Sequence, residues 1–257
     1  MFSYLCLHGK KHKLKTDTNS TNFLIREIRV KKTLAHILCI ETSSTVCSVC
    51  VTADEKVISF REINNGFTHA ENLHGFIEEV LKEANLTFSQ LSAVAVSKGP
   101  GSYTGLRIGV SAAKGLCYAL NIPLISVDTL QSMAWGIAQS KNENILFCPM
   151  LDARRMEVYC AVYNKNLEIV LSVNALVLDE NSVKIFNLEK PIYFFGDGMS
   201  KAKDLLQKIN QATFLENIFP SAKNMATLAS VKFQQKKFEN LALFEPFYLK
   251  EFFTKKQ

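Results

Sequence analysis

The stretch that decides the fold is LSAVAVSKGPGSYTGLRIGVSAAKG, residues 91–115. Its apolar start, 91–96, predicts a buried strand, and the glycine-rich loop after it leads into a helix predicted over 104–120. Such a turn presents backbone N–H groups that can hold an anion, so one interpretation is a phosphate-binding loop. The other interpretation is that the glycines let another segment pack closely. The loop residues are Ser97, Gly99, Pro100, Gly101, Ser102 and Gly105.

The spacing of small residues in the helix favours close packing. The loop matches neither of the standard glycine-rich phosphate motifs, because no Lys-Ser/Thr pair follows the last glycine. Gly105, Gly109 and Ala113 recur every four residues on one face, with Ser111 and Gly115 beside it. A glycine inside a helix costs about 1 kcal/mol relative to alanine, which close approach of another backbone can offset. The approaching segment is the chain's own sheet, a partner helix, or one of each on different faces.

Outward from this stretch the chain predicts the order βββαβαβ, which the second half repeats in part. In the first half, the predicted elements are strands 36–41, 46–53 and 57–63, a helix over 68–85, strand 91–96, helix 104–120 and strand 122–127. Thr68 and Glu71 have the spacing of a capping box at the start of the first helix. In the second half, they are strands 145–151, 156–164, 168–176 and 191–198, a helix over 199–210, a weak strand 213–216 and a helix over 221–237.

The chain has 257 residues and a net charge of +6. All of this excess charge lies in residues 1–34, which hold eight basic and two acidic side chains. Little apolar periodicity accompanies this charge, so we predict a mostly disordered basic extension. An RNA-binding arm is the alternative. The rest of the chain is neutral, which argues against a strong electrostatic grip on RNA. No secretory signal and no membrane span are predicted.

Seven cysteines are scattered along the chain, and Cys47 and Cys50 form a C-x-x-C pair. The pair lies in an alternating segment that predicts a strand, where residues three apart face opposite sides. We therefore predict buried thiols rather than a metal or redox site. Reduced thiols without an export signal favour a cytoplasmic location.

Several motifs together resemble the TsaB family. They are ILCIETSSTVCSV, THAEN at a helix start, SKGPGSYTGLRIGVSAAKGL, IPLISVDTLQSMA, MLDARRMEVYCAVY and EPFYLKEF. The resemblance covers residues 35–257. It implies an α/β fold of the actin/Hsp70/sugar-kinase (ribonuclease H-like) type with two related halves. The implied division is 35–138, with 221–257 packing back on it, and an abbreviated second half, 139–220.

The resemblance also implies a function and partners. TsaB-like proteins are non-catalytic subunits that pair with a TsaD-type transferase, which N6-threonylcarbamoylates the adenosine next to the anticodon in ANN-decoding tRNAs. A TsaE-type ATPase acts on the pair, the subunit alone forms a homodimer, and tRNA is contacted mainly through the complex. No cofactor is implied, although a nucleotide at the complex interface stays open. The implied interface residues are His69, Asn72, Leu73, Phe76, Ile77, Arg107, Ile108 and Ser111.

The alternative function is an enzyme of the same fold, either an ATP-dependent transferase or a metallopeptidase-like protein. TsaD-like proteins carry V-N-H-x-E-G-H where this chain reads VDTLQSM, 127–133. Thr129 and Met133 take the two histidine positions, and neither replaces imidazole as a ligand of a divalent metal, so no metal site is predicted. Glu41 and Asp152, near the start of each half, are expected to hold turn backbone. Arg154 and Arg155 receive no role from the resemblance.

Overall fold

A computed structural model describes residues 34–66, 68–141 and 144–250, so most of the predicted basic extension lies outside the described residues. The described chain contains two five-stranded sheets. The strands of the first sheet are β1 (His36–Glu41), β2 (Val46–Ala53), β3 (Lys56–Asn64), β4 (Ala93–Gly99) and β5 (Leu124–Asp128). Those of the second sheet are β6 (Leu146–Asp152), β7 (Glu157–Tyr163), β8 (Ile169–Val177), β9 (Ile192–Phe195) and β10 (Ala212–Leu215).

The two sheets have the same topology. Their strand orders are β3-β2-β1-β4-β5 and, correspondingly, β8-β7-β6-β9-β10. In each sheet the first three strands form an antiparallel meander, and the remaining two continue it in parallel. The predicted repeat is therefore confirmed, and the structure extends it, because the second half also has a helix between its third and fourth strands.

Six α-helices connect and cover the sheets in the described residues. They are α1 (His69–Glu83), α2 (Tyr103–Leu120), α3 (Thr129–Ala138), α4 (Glu180–Ile185), α5 (Met199–Leu206) and α6 (Ala222–Gln234). The helices of the second half are much shorter, since α4 and α5 have 6 and 8 residues where α1 and α2 have 15 and 18. The second half is thus an abbreviated copy of the first.

Helices cover both faces of the first sheet. One face packs on α1 and α2 through residues such as Leu73 and Val110, and the other packs on α6 through residues such as Met225. Cys47 belongs to the first of these clusters and Cys50 to the second, and both thiols are buried. The prediction that the C-x-x-C pair points to opposite faces of a strand is confirmed.

The segment after α6 also lies against the first half. Phe244 is buried in the cluster of α1 and α2. The Glu239 N–H donates to the Leu124 carbonyl at 2.9 Å, and the Phe247 N–H donates to the Lys98 carbonyl at 2.7 Å. The tail therefore crosses the end of β4, next to the glycine loop.

The predicted capping box of α1 is wrong. Thr68 has φ −93° and ψ 23°, away from the extended conformation that lets an N-cap side chain reach back to the first turn, and its hydroxyl makes no capping hydrogen bond. Its carbonyl instead accepts from the Asn72 side-chain amide at 2.9 Å. Two helices, α3 and α4, were not predicted as elements of this chain, and α5 ends four residues earlier than expected.

Candidate functional site

A groove of about 750 Å³ runs between α1 and α2 on the surface of the first half. Its lining residues are small, apolar or cationic, and they are Ala70, His74, Tyr103, Thr104, Arg107, Ile108, Ser111, Ala112, Gly115 and Leu116. Small side chains in the middle of a helix allow another helix to approach closely. The groove wall formed by α2 therefore offers small side chains at Ser111, Ala112 and Gly115.

The glycines of α2 divide between its two faces. A Cβ atom on Gly105 would lie 2.1 Å from the Thr42 carbonyl oxygen, and one on Gly109 would lie 2.3 Å from Thr42 Oγ1. Around Gly115, by contrast, a Cβ atom would meet nothing within 4 Å. Gly105 and Gly109 thus pack on the chain's own turn after β1, whereas Gly115 opens into the groove. Close packing on the sheet side explains the first two glycines but not the third.

Three of the residues implied for the interface lie beneath the groove rather than on it. His69, Leu73 and Ile77 are at most 2% exposed. The His69 ring is hydrogen-bonded through Nε2 to the Ser44 carbonyl at 2.8 Å, and burial lowers its pKa. Their spacing along α1 is that of a core stripe, which explains why they face inward. The other five keep solvent-accessible surface and are Asn72, Phe76, Arg107, Ile108 and Ser111.

Several groove residues were missed by the sequence analysis. Tyr103 and Gly115 follow the four-residue spacing set by Arg107 and Ser111 along α2. Extending that spacing along the helix would have identified both. His74 could not be found this way, because its place beside α2 depends on how the two helices pack.

The glycine loop packs against the turn that follows β1. A Cβ atom on Gly101 would lie 2.3 Å from the Ser43 carbonyl oxygen, and the Ser102 N–H donates to that oxygen at 2.6 Å. Gly99 has φ +112°, and a Cβ atom there would lie 2.7 Å from the carbonyl oxygen of Phe247 in the tail. Neighbouring backbone therefore packs closely against both glycines, as the close-packing interpretation of the loop expects.

A second cavity, of about 850 Å³, lies where the ends of the two sheets meet, and we call it the cleft. Its walls include residues 43–45 after β1, 101–103 at the start of α2, and 151–155 after β6. Tail residues 247–250 complete its lining. The Lys250 ammonium pairs with the Glu157 carboxylate, so the tail contacts both halves at this point.

Glu41 and Asp152, the acidic residues at the ends of β1 and β6, hold turn backbone as the sequence suggested. Glu41 Oε1 accepts from the Ser43 N–H at 2.6 Å and from the Ser97 hydroxyl at 2.8 Å. Asp152 Oδ1 accepts from the Arg154 N–H at 2.8 Å and pairs with the Lys201 ammonium. In each half, therefore, a carboxylate fixes the amide two residues further on.

The two carboxylates differ in burial. Glu41 is fully buried, and its Oε2 has no hydrogen-bond partner among the described residues. Burial raises the pKa of Glu41, and the hydrogen bonds from Ser43 and Ser97 offset only part of that rise. Asp152 is exposed and already paired with a lysine.

Replacing Glu41 by glutamine is expected to stabilise the fold at pH 7.5 by about 1 kcal/mol, because an amide costs less to bury than a carboxylate. The folded-state pKa of Glu41 lies above its unfolded value. Between these two values the folded chain keeps a proton that the unfolded chain releases, so wild-type stability falls as the pH rises through that window. At pH values below the pKa of Glu41 in the unfolded chain, wild type and Glu41→Gln should be equally stable.

Thermal unfolding between pH 4 and pH 8 measures this difference. Glu78→Gln is the matched control, since Glu78 is exposed on α1. If plots of melting temperature against pH for wild type and Glu41→Gln run parallel from pH 4 to pH 8, the raised pKa of Glu41 is contradicted.

The two positions compared above with the histidines of the TsaD-like motif are not accessible to solvent. Thr129 is the first residue of α3 and Met133 lies one turn later, and both are fully buried. Within the described residues, no group of three or more His, Cys, Asp or Glu side chains is placed to hold a metal ion. Separately, none of the helices in the described part of the chain has the length and apolar character needed to cross a bilayer.

Two halves of identical sheet order, each βββαβαβ, define the class of this protein. It has the duplicated α/β fold of the actin/Hsp70/sugar-kinase type. A Pseudomonas aeruginosa protein described as similar to the peptidase YeaZ has the same fold, with a TM-score of 0.74 and 23% identity over 84% of this chain and 100% of that one.

Comparisons of sequence give the family. A family model described as TsaD, tRNA N6-adenosine threonylcarbamoyltransferase, matches residues 66–256. The tRNA threonylcarbamoyladenosine biosynthesis protein TsaB of Bacillus subtilis (strain 168) is 30% identical over 67% of this chain and 76% of its own length. The protein of the same name from Buchnera aphidicola subsp. Baizongia pistaciae (strain Bp) is 30% identical over 85% of this chain and 99% of its own length. The chain belongs to the TsaB family.

Proposed function

We propose that this chain is a non-catalytic scaffold that assembles with a TsaD-type transferase to form threonylcarbamoyladenosine in tRNA. Its relatives in Bacillus subtilis and Buchnera aphidicola are named as biosynthesis proteins for that nucleoside. The observation that carries the proposal is the groove between α1 and α2, where Gly115 opens a path for close helix packing.

A TsaD-type chain suits this groove because it is related to the protein that presents it. The match to the TsaD family begins at residue 66 and includes both α1 and α2. A paralogue would therefore offer an equivalent helix pair, and two such pairs can pack as a four-helix bundle. The same surface would form a homodimer when the chain is alone, in competition with the paralogue.

Two features of the first half support a non-catalytic role for this chain. Thr129 and Met133 are buried where the transferase family has metal-binding histidines. In the glycine loop, the Ser102 N–H is bound to Ser43 and neighbouring backbone approaches Gly99 and Gly101. The chemistry would then belong to the paralogue, with a TsaE-type ATPase acting on the pair and tRNA held mainly by the complex.

Two exposed helix glycines provide a matched test of the interface. Gly115→Ala and Gly75→Ala should each stabilise the chain by about 0.5–1 kcal/mol, because alanine is the better helix former and an added Cβ meets nothing at either site. Only Gly115 lines the groove. We therefore expect Gly115→Ala to weaken binding of the paralogue, measured by calorimetric titration, and Gly75→Ala to leave it unchanged. Equal affinities for the two variants would place the partner elsewhere.

Co-purification of the chain with its cognate TsaD-type protein tests the proposal itself. We expect a stable complex on size-exclusion chromatography, and loss of the homodimer as the paralogue is added. Failure of the two chains to associate would contradict the scaffold role. Turnover of ATP by the purified chain alone would favour the alternative, an ATP-dependent enzyme of the same fold.

A further inference from the structure

The turn between β6 and β7 places two adjacent arginines at the edge of the cleft. Arg154 and Arg155 have φ values of 66° and 49°, in the left-handed region that residues with side chains rarely adopt. Glycine and asparagine are the usual residues for two successive positions of this kind. The turn conformation therefore does not favour arginine at either position, and strain of this kind is concentrated at functional sites.

Side chains on both sides hold this turn in place. The Asp152 carboxylate accepts from the Arg154 N–H at 2.8 Å. The Lys201 ammonium, from α5, pairs with the same carboxylate and also donates to the Arg155 carbonyl at 2.8 Å. The backbone that carries the two arginines is thus fixed before any ligand binds, which reduces the entropy lost on binding.

The charges around the cleft do not balance. Asp152 is paired with Lys201 and Glu157 with Lys250, whereas Asp197 accepts a hydrogen bond at 3.0 Å from the uncharged Asp152 N–H. Neither the Arg154 nor the Arg155 guanidinium makes an ion pair or hydrogen bond with another residue of the described ranges. Two guanidinium charges therefore stand against one carboxylate, that of Asp197, without a cationic partner among the described residues, and the net positive charge suits an anionic ligand.

Aromatic rings line the same cleft as these cations. Tyr103 and Tyr248 line the cleft with ring centroids 4.8 Å apart, and the Arg107 guanidinium lies 5.3 Å from the Tyr103 ring. Tyr159 also lines the cleft. Surfaces that bind single-stranded nucleic acid combine cations for the phosphates with rings on which bases stack. An acidic peptide would need the cations alone, so the combination favours RNA.

We propose that Arg154 and Arg155 bind backbone phosphates of single-stranded RNA at the cleft. A guanidinium fits a phosphate through two parallel hydrogen bonds. The inference rests on the proposed function, because tRNA is the RNA that the assembled complex would act on. Since residues 35–257 carry no net charge, the two arginines orient the RNA locally and do not attract it from a distance.

The test uses Arg154→Gly/Arg155→Gly, because glycine adopts both φ values without strain and preserves the turn. Full-length wild type and variant, each alone and in complex with the TsaD-type protein, are titrated with tRNA over a range of salt concentrations. We expect the double variant to bind tRNA about tenfold more weakly and its log–log salt slope to shrink by about 1.4, as for two phosphate contacts on a single strand. In the transfer assay the KM for tRNA should rise while kcat at saturating tRNA is unchanged.

The control is Lys203→Ala/Lys208→Ala, which removes the same charge from residues that do not line the cleft and pair with Glu216 and Glu180. The control variant should bind tRNA with nearly the affinity and the log–log salt slope of the wild type. Equal tRNA affinities for wild type and the arginine variant, alone and in the complex, would overturn the inference. So would an arginine variant that loses the protein partner, or one that loses ATP binding while keeping tRNA. Failure of the wild-type chains to assemble would instead contradict the proposed function, and the titration of the chain alone still decides whether the arginines bind RNA.

Discussion

Gly105→Ala should destabilise the chain by about 1–2 kcal/mol. The added Cβ would lie 2.1 Å from the Thr42 carbonyl oxygen and 3.4 Å from the His69 ring, so α2 must move away from the turn after β1. That movement would stretch the hydrogen bond from Thr42 Oγ1 to the Gly105 carbonyl, now 2.8 Å. Overpacking of this kind costs about 1–3 kcal/mol and sometimes more, which outweighs the gain of about 1 kcal/mol in helix propensity. Chemical denaturation of both proteins measures the difference.

The control for this effect lies ten residues further along the same helix. Gly115→Ala introduces the same methyl group into open space and is expected to stabilise the chain. Opposite signs for the two substitutions would show that α2 uses one glycine face inside the chain and leaves the other free. If Gly105→Ala is also stabilising, the close packing of α2 on the turn after β1 is wrong.

Ser111→Trp should reduce the affinity of this chain for the TsaD-type partner about 100-fold or more. Ser111 is exposed and lies in the wall of the groove between α1 and α2. An indole there would fill the space that we assign to the partner's helices, and a loss of about 3 kcal/mol is typical of a blocked interface centre. The substitution touches no buried side chain, so the melting temperature of the chain alone should change little. Calorimetric titration with the partner measures the affinity.

Ser172→Trp is the matched control, since Ser172 is exposed on β8, in the other half of the chain. It should bind the partner as wild type does. Unchanged binding by Ser111→Trp, with the control also unchanged, would remove the groove from the interface. A Ser111→Trp chain that no longer folds would show that this position is packed more tightly than its exposure indicates.

The fold could be predicted from the sequence because local patterns were repeated. Alternating strands and the glycine-rich turn after β4 recur in the second half as β6 to β9 and the glycines at 196 and 198. Helix α3 was missed because it is packed on more than one side, so TLQSMAWGIA shows no polar stripe. Helix α4, with six residues, is too short for a periodic signal.

The candidate site was predictable only in part. The repeat of small residues along α2 revealed a packing surface, but not which glycine faces the sheet and which faces solvent. That assignment depends on Thr42, which lies 63 residues before Gly105. Likewise, the role proposed for Arg154 and Arg155 depends on Lys201, which pairs with Asp152 from 49 residues away in the sequence. Such pairings arise from the tertiary structure and leave no mark on local spacing.

In the proposed function, this chain activates a TsaD-type transferase without catalysing the reaction itself. The most direct test is threonylcarbamoyl transfer to tRNA from threonylcarbamoyl-adenylate, with the TsaE-type ATPase present, measured with each chain alone and with both together. We predict modification of tRNA only when both chains are present, and loss of that activity with Ser111→Trp. Full activity of the TsaD-type chain alone, or transfer by this chain alone, would contradict the account.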